Sequence, residues 1–274
     1  MFSEKCEVLE NKNVAPGHFV LKFRSKKIAK AAKPGQFVQI TCAEHSFDPL
    51  LARPFSFLET GGSEFSVLYH VVGKGTQLME KLRKKDKVSV LGPLGNGFGL
   101  NPEPGARSPE KKILVGGGVG IPPLYHLAQV MIKNKTAKKE NIHVLLGAQT
   151  KALLLCEKDF KKLGVNLFVA TNDGSRGTKG FVTSLLTSIL RAPGSGLRAR
   201  IYTCGPTPML KAVSHIAEEF LTPCEVAVEV PMACGFGACL GCAIKVKTTE
   251  PAGHRFAVAC VEGPVFEGTK VLWD

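Results

Sequence analysis

Ile113-Leu114-Val115-Gly116-Gly117-Gly118-Val119-Gly120-Ile121-Pro122-Pro123 reads as a short apolar strand, a glycine loop and a helix start. Proline is tolerated in the first helical turn, where its missing N–H has no partner to lose. A glycine-rich turn of this kind lets a pyrophosphate approach the backbone. It is not a strict G-x-G-x-x-G, because Ile121 stands where the last glycine belongs, and a tight turn without a ligand is the plain alternative. Downstream the pattern repeats, with strands at His143 to Leu146, Asn166 to Ala170 and Arg200 to Thr203, and helices around Leu124 to Met131, Val182 to Leu190 and Pro208 to Phe220. Strands alternating with helices predict a parallel sheet covered on both faces.

Two more turns follow strands, where ligands gather in such folds: Thr171-Asn172-Asp173-Gly174-Ser175 and Thr203-Cys204-Gly205-Pro206. With the glycine loop they make Gly116, Gly117, Gly118, Gly120, Asp173, Cys204, Gly205 and Pro206 the candidate dinucleotide site. Cys204 reads either as a buried thiol or as a contact for a nicotinamide. The second strand ends in Gly147-Ala148-Gln149-Thr150 without a clear acidic residue, and Arg176 is available for a 2′-phosphate, so the residues leave NAD and NADP both open.

Upstream the texture changes. Between Gly97 and Lys111 the chain turns to Gly, Pro, Asn and Ser, which marks a linker. Before it, from Val14 to Leu91, short Val-, Phe- and Ile-rich runs such as His18 to Phe23, Gln36 to Cys42, Phe65 to Val72 and Lys87 to Leu91 predict a small antiparallel barrel. One helix interrupts it over Thr76 to Lys85, with Thr76 placed to cap its start. Arg53-Pro54-Phe55-Ser56 supplies an arginine fork suited to a pyrophosphate, an extended proline, an aromatic ring and a hydroxyl. Alone it reads as an ordinary strand end; with Gly75-Thr76 at the helix start, where N–H groups favour phosphate, it makes a plausible FAD cradle.

Beyond the last helix, Cys234-Gly235-Phe236-Gly237-Ala238-Cys239-Leu240-Gly241-Cys242 and then Cys260 follow the order C-x4-C-x2-C with a distant fourth cysteine, the plant-type 2Fe–2S spacing. Glycines at 235, 237 and 241 permit a tight loop that turns N–H groups towards cluster sulfurs. A four-cysteine zinc site would normally show two matched C-x2-C pairs, and only one is present. The segment has few large apolar residues and needs something besides core burial to hold it.

Composition sets the bounds. At 274 residues, with 44% apolar and 22% charged, the chain is an ordinary globular one of two domains and an appendage, read as 1–103 (barrel), 104–230 (α/β) and 231–274 (cluster segment). No signal-like start and no run of about 18 apolar residues appears, so a cytoplasmic protein without membrane spans is expected. Nine cysteines, three of them within nine residues, suit metal ligation better than a disulfide framework. The net charge of +13 is scattered in short pieces such as Arg83-Lys84-Lys85, which suits solvated faces, an acidic partner or phosphorylated cofactors rather than nucleic acid.

These motifs in this order resemble the ferredoxin-NAD(P) reductase superfamily over almost the whole chain. The cysteines follow Val228-Glu229-Val230, read as the end of the last sheet strand, and Cys260 leads into Gly263-Pro264. That compact arrangement resembles the electron-transfer subunits of B-type dihydroorotate dehydrogenases. The resemblance implies that Arg53, Pro54, Phe55, Ser56, His70, Val71, Val72, Gly75 and Thr76 bind FAD, and that Cys234, Cys239, Cys242 and Cys260 hold the 2Fe–2S cluster. It implies NAD as the nucleotide and an FMN-containing catalytic subunit as partner, in a heterotetramer serving pyrimidine biosynthesis. Electrons would pass from FMN through the cluster and FAD to NAD+, with no acid–base catalyst in this chain. The superfamily often has Tyr where Phe55 stands, so a hydroxyl contact is missing here. A sulfide dehydrogenase or transhydrogenase subunit is the related alternative, and a zinc-stabilised binding protein the unrelated one.

Overall fold

The computed structural model describes residues 1–44, 48–100, 111–192, 199–249 and 251–273. Its first layer is a closed barrel of six strands, β1 (Phe2–Ala15), β2 (His18–Arg24), β3 (Phe37–Ile40), β4 (Arg53–Gly61), β5 (Glu64–His70) and β6 (Lys87–Leu94), in the order β1-β2-β5-β4-β3-β6. All neighbours are antiparallel. Successive side chains alternate across the wall: Val38 and Ile40 join Leu21, Phe23, Phe57 and Phe65 inside, while Phe37 and Gln39 face outwards. β1 lies almost wholly before Val14, where the expected run of barrel strands begins. That strand buries Cys6 and Val8 between exposed or half-exposed charged residues, which breaks any apolar run.

Two short helices close the barrel. α1 (Lys26–Ala31) is capped by Ser25, whose Oγ accepts the Ile28 N–H at 3.2 Å. α2 (Lys74–Glu80) starts and ends earlier than predicted, and Thr76 is not its first cap. Gly73 caps it, and Thr76 reaches back from the third position so that its Oγ1 accepts the N–H groups of Val72 at 2.9 Å and Gly73 at 3.2 Å.

The second layer is a seven-stranded sheet. Its elements are β7 (Lys111–Gly117), α3 (Ile121–Lys133), β8 (Ile142–Ala148), α4 (Glu157–Leu163), β9 (Asn166–Thr171), β10 (Thr178–Lys179), α5 (Val182–Arg191), β11 (Ala199–Cys204), α6 (Thr207–Glu219) and β12 (Cys224–Ala227). These strands are parallel, as predicted, in the order β10-β9-β8-β7-β11-β12. Leu114, Val144 and Leu146 pack under α3 and α4, and Ile113, Val115, Leu145 and Ile201 pack under α5 and α6, so both faces are covered. The order reverses between β7 and β11, which makes the carboxyl ends of those two strands the ligand-binding switch point of the sheet.

The C-terminal segment adds a hairpin of β13 (Ala243–Lys247) and β14 (His254–Val258), then α7 (Ala259–Glu262) and β15 (Val265–Glu267). β15 pairs antiparallel with β12 and becomes the edge of the large sheet. The predicted strand at Val228 to Val230 is absent: β12 ends at Ala227, and the Val228 N–H goes to Pro264 O at 2.9 Å. The segment also buries Cys242, Ala259 and Cys260 against Phe37 and Leu94 of the barrel, so it is held by docking on both layers as well as by whatever its cysteines bind.

The boundary at 103/104 and the linker from 101 to 110 lie outside the described residues. The first part of that linker is a packed joint. Phe98 is buried edge-on to Tyr202 with ring centroids 5.7 Å apart, and the Gly99 N–H donates to Glu225 Oε2 at 2.7 Å. Among the described residues no helix is long and apolar enough to cross a membrane.

Candidate functional site

The cysteine loop bends through left-handed backbone at Gly235, Gly237 and Leu240, with φ of 80°, 92° and 58°. Glycine adopts this region without strain, and Leu240 occupies it against its preference. The turns gather N–H groups around sulfur. Burial disfavours the Cys234 thiolate, but the backbone N–H groups of Cys239, Phe236 and Ala238 and the Cys239 side chain outweigh it and bring the Cys234 pKa down to about 6. The Cys239 N–H lies 3.5 Å from the Cys234 sulfur, and the Cys260 N–H lies 3.4 Å from the Cys242 sulfur. Burial pushes the Cys260 thiol up to about 12, and the neighbouring Cys242 and Cys234 sulfurs add to the shift.

Backbone N–H groups thus link Cys239 to the Cys234 sulfur and Cys260 to the Cys242 sulfur. Among the described residues no three His, Cys, Asp or Glu side chains converge in a way that would hold one metal ion. Linked two and two, the cysteines fit a two-iron cluster, in which each iron takes two thiolates. Phe236, Leu240 and Val261 form an exposed apolar rim around the loop.

On the barrel, Arg53 begins β4 beside the start of α2. A Cβ on Gly75 would lie 3.1 Å from the Cys42 sulfur and 3.5 Å from Arg53 Nε, so glycine keeps this cradle open. Arg53 Nη1 donates to Leu51 O at 2.7 Å and Ala52 O at 3.3 Å, which fixes the guanidinium. Phe55 is half-buried against the barrel core, edge-on to Tyr69, while Pro54 and Ser56 pair across the ladder with Gln39 and Phe37. His70 ends β5 with its ring stacked on that of His18 at 4.2 Å; Val71 binds back to Gly17 O, and Val72 is exposed. The Thr76 hydroxyl is spent on the helix start, so the donors left for a pyrophosphate are the first free N–H groups of α2 and the Arg53 fork. Charge-assisted contacts of this kind fit a diphosphate.

At the switch point the two predicted loops meet. Cys204 pairs with Gly116 across the sheet, and a Cβ on Gly120 would lie 2.4 Å from Cys204 C and Gly205 N. Gly117 and Gly205 likewise pack against Met209 and each other, and Pro206 lies beside Gly117. Most of these glycines thus serve backbone-to-backbone packing. Gly118 differs: its φ is 54° and a Cβ there would meet nothing within 4 Å, so it faces the open side where a nucleotide would lie. Burial pushes the Cys204 thiol up to about 12, with Glu229 adding to the shift, which makes it a neutral side chain.

Asp173 is not brought to this point. It follows β9, two strands from β7, or about 10 Å across the sheet. Its Oδ1 accepts from Ser175 N at 2.9 Å and Ser175 Oγ at 2.7 Å, closing its own turn. Arg176 is held by Glu157 at 2.5 Å, so a 2′-phosphate would have to compete for it.

Comparison with known proteins matches this arrangement. Residues 229–272 match the iron-sulfur cluster binding domain of dihydroorotate dehydrogenase B, and residues 114–215 match the oxidoreductase NAD-binding domain. A Desulforamulus reducens protein named as the electron transfer subunit of dihydroorotate dehydrogenase B (NAD(+)) is 38% identical over 271 residues, covering 98% of each chain. One of the same name from Lysinibacillus sphaericus is 39% identical over 98% of each chain. The chain belongs to the dihydroorotate dehydrogenase B electron transfer subunit family. Among solved structures, an NADH-dependent reduced ferredoxin-NADP oxidoreductase studied for flavin-based electron bifurcation has TM-score 0.83 and 32% identity, covering 99% of this chain and 91% of that one. The cytochrome b5 reductase domain of Ulva prolifera nitrate reductase, at TM-score 0.61 and 20% identity over 80% of this chain and 93% of that one, shares the fold.

Within this electron transfer subunit family fold, two residues beside the cysteine loop escaped the sequence reading. Asn96 Nδ2 donates to Val261 O at 2.9 Å and Glu262 O at 3.0 Å, clamping the end of α7 to the barrel. Gln39 lies buried against Gly235. A polar residue in a strand pattern dominated by Phe37, Val38 and Ile40 was the one signal available for Gln39.

Proposed function

We propose that this chain carries electrons between the FMN of a catalytic subunit that oxidises dihydroorotate and NAD+, by way of a 2Fe–2S cluster and FAD, in pyrimidine biosynthesis. The observation that carries the reading is the docking of the four-cysteine segment on the outer face of β3 and β6, one strand from Arg53-Pro54-Phe55-Ser56. When bound, FAD joins one-electron exchange with a cluster to two-electron exchange with a nicotinamide.

The chain's own residues position these groups. Cys234, Cys239, Cys242 and Cys260 hold the cluster. Arg53, Pro54, Phe55, Ser56, His70, Val71, Val72, Gly75 and Thr76 form the FAD site, with Arg53 and the start of α2 on the pyrophosphate. Gly116, Gly117, Gly118, Gly120, Cys204, Gly205 and Pro206 shape the NAD site, with Asp173 at its far margin. No residue here acts as an acid or base. The assignment divides the chain at 1–103, 104–230 and 231–274, in a cytoplasmic heterotetramer with the catalytic subunit that binds neither nucleic acid nor membrane.

A sulfide dehydrogenase or transhydrogenase subunit is the alternative, and relatives named as electron transfer subunits of dihydroorotate dehydrogenase B weigh against it. Purification of the tagged chain from its own cells separates the two. An FMN protein that oxidises dihydroorotate should accompany it; a copurifying partner without that activity would replace the proposal by the alternative. Arg53→Ala should weaken FAD retention about ten- to hundredfold, read by flavin fluorescence on dilution.

A further inference from the structure

Gln39 sits at the seam between the barrel and the cysteine loop with nothing to bond. It is 3% exposed, and neither its Nε2 nor its Oε1 has a hydrogen-bond partner. A buried amide left in that state is disfavoured, so its orphaned Nε2 donor points to an acceptor supplied from outside the chain. The direction is given by the strand. Val38 and Ile40 face the barrel core, and Phe37 and Gln39 face the C-terminal segment. A Cβ on Gly235 would lie 2.7 Å from Gln39 Cγ and 2.8 Å from Nε2, so the loop residue that follows Cys234 is glycine where the amide approaches. On its other side Gln39 is paired in the ladder with Pro54 of the candidate flavin strand.

We infer that Gln39 is a positioning residue for the cluster, its Nε2 donating a hydrogen bond to a cluster or Cys234 sulfur. The inference rests on the cluster reading above. Sulfur atoms of such a cluster only accept, and a neutral donor is the group that satisfies them without adding charge. Hydrogen bonds to the sulfurs stabilise the more negative, reduced state and raise the reduction potential. Gln39 would thus set how readily the cluster takes an electron, from a strand that adjoins the candidate flavin strand.

The test compares the full-length wild-type chain with Gln39→Met, which keeps length and volume but removes the donor. Iron and FAD contents should be unchanged, and an EPR-monitored redox titration should show the reduction equilibrium about tenfold less favourable, about 59 mV for a one-electron couple. Gln39→Glu, an acceptor only when ionised, should shift it further the same way. A Gln39→Met protein with full iron and an unmoved potential overturns the inference, as does partial iron loss with an unmoved potential in the clusters that remain, which marks mere packing. Should the variant fail to assemble, pulsed EPR on reduced wild-type chain labelled with 15N-glutamine decides, since a glutamine nitrogen coupling is expected and its absence overturns the inference. Wild-type chain without iron would instead sink the cluster reading itself.

Discussion

The glycine loop Gly116–Gly120 and the cysteine loop Cys234–Cys242 are both glycine-rich, yet their glycines do opposite things. In the first, Gly120 lets one backbone lie directly on that of Cys204 and Gly205, so the site is completed by protein alone. In the second, left-handed turns at Gly235 and Gly237 collect N–H groups around a sulfur whose pKa falls to about 6, a charge with no protein cation to answer it in the hydrogen bonds and ion pairs described. A self-packed loop keeps its shape without ligand. A loop that concentrates thiols and donors keeps its shape through what it binds.

The largest expected effect follows from that difference. Cys239→Ser removes one of four thiolate ligands from a segment whose folding is linked to its metal. Iron content should fall to near zero and protease sensitivity should appear near 234–242, while FAD remains bound. Full iron in the purified variant would remove Cys239 from the ligand set. At the self-packed loop, Gly120→Ala places a methyl group on backbone atoms that cannot rotate away, and should cost about 3 kcal/mol with loss of nucleotide affinity. Differential scanning calorimetry and NADH titration check it.

A smaller effect concerns α3, the helix that follows the glycine loop and joins the sheet to the barrel. His126 Nε2 bonds Thr60 Oγ1 at 2.9 Å, and burial lowers the His126 pKa to about 4. Because the unfolded chain binds the proton more readily, stability is complete above about pH 6.5 and declines as pH falls towards 4, by about 1.4 kcal/mol at pH 5.5. Unfolding midpoints measured from pH 7.5 to 5.0 should show this slope, and His126→Asn should flatten it. The smallest effect is that of Gly118→Ala. The space is open but the backbone is left-handed, so about 1 kcal/mol is expected, against the larger loss at Gly120 two residues away. Equal losses at the two positions would break the comparison.

Sequence alone exposed the parts whose chemistry is local. The cysteine spacing, the strand-loop-helix at Ile113 to Pro123 and the alternation behind it each depend on neighbours in the chain. β1 was hidden because half of its residues face water, the charged Lys5, Glu10 and Lys12 among them. The role of Thr76 was misplaced by three positions, since Gly73 starts the helix and the reach of a side chain back along the chain is not visible in composition. Gln39, Asn96 and the joint at Phe98 and Gly99 depend on partners far away in sequence, and so appear only when the barrel, sheet and cysteine segment are seen together.

The central claim is that the cysteine segment links this chain's flavin to a partner's. The direct measurement is steady-state turnover of the complex with its catalytic subunit, wild type against Cys239→Ser, in two assays: NADH to an artificial acceptor, and dihydroorotate to NAD+. The account predicts that the variant keeps most of the first activity and loses the second. Full dihydroorotate-to-NAD+ turnover by an intact, cluster-free complex would contradict it.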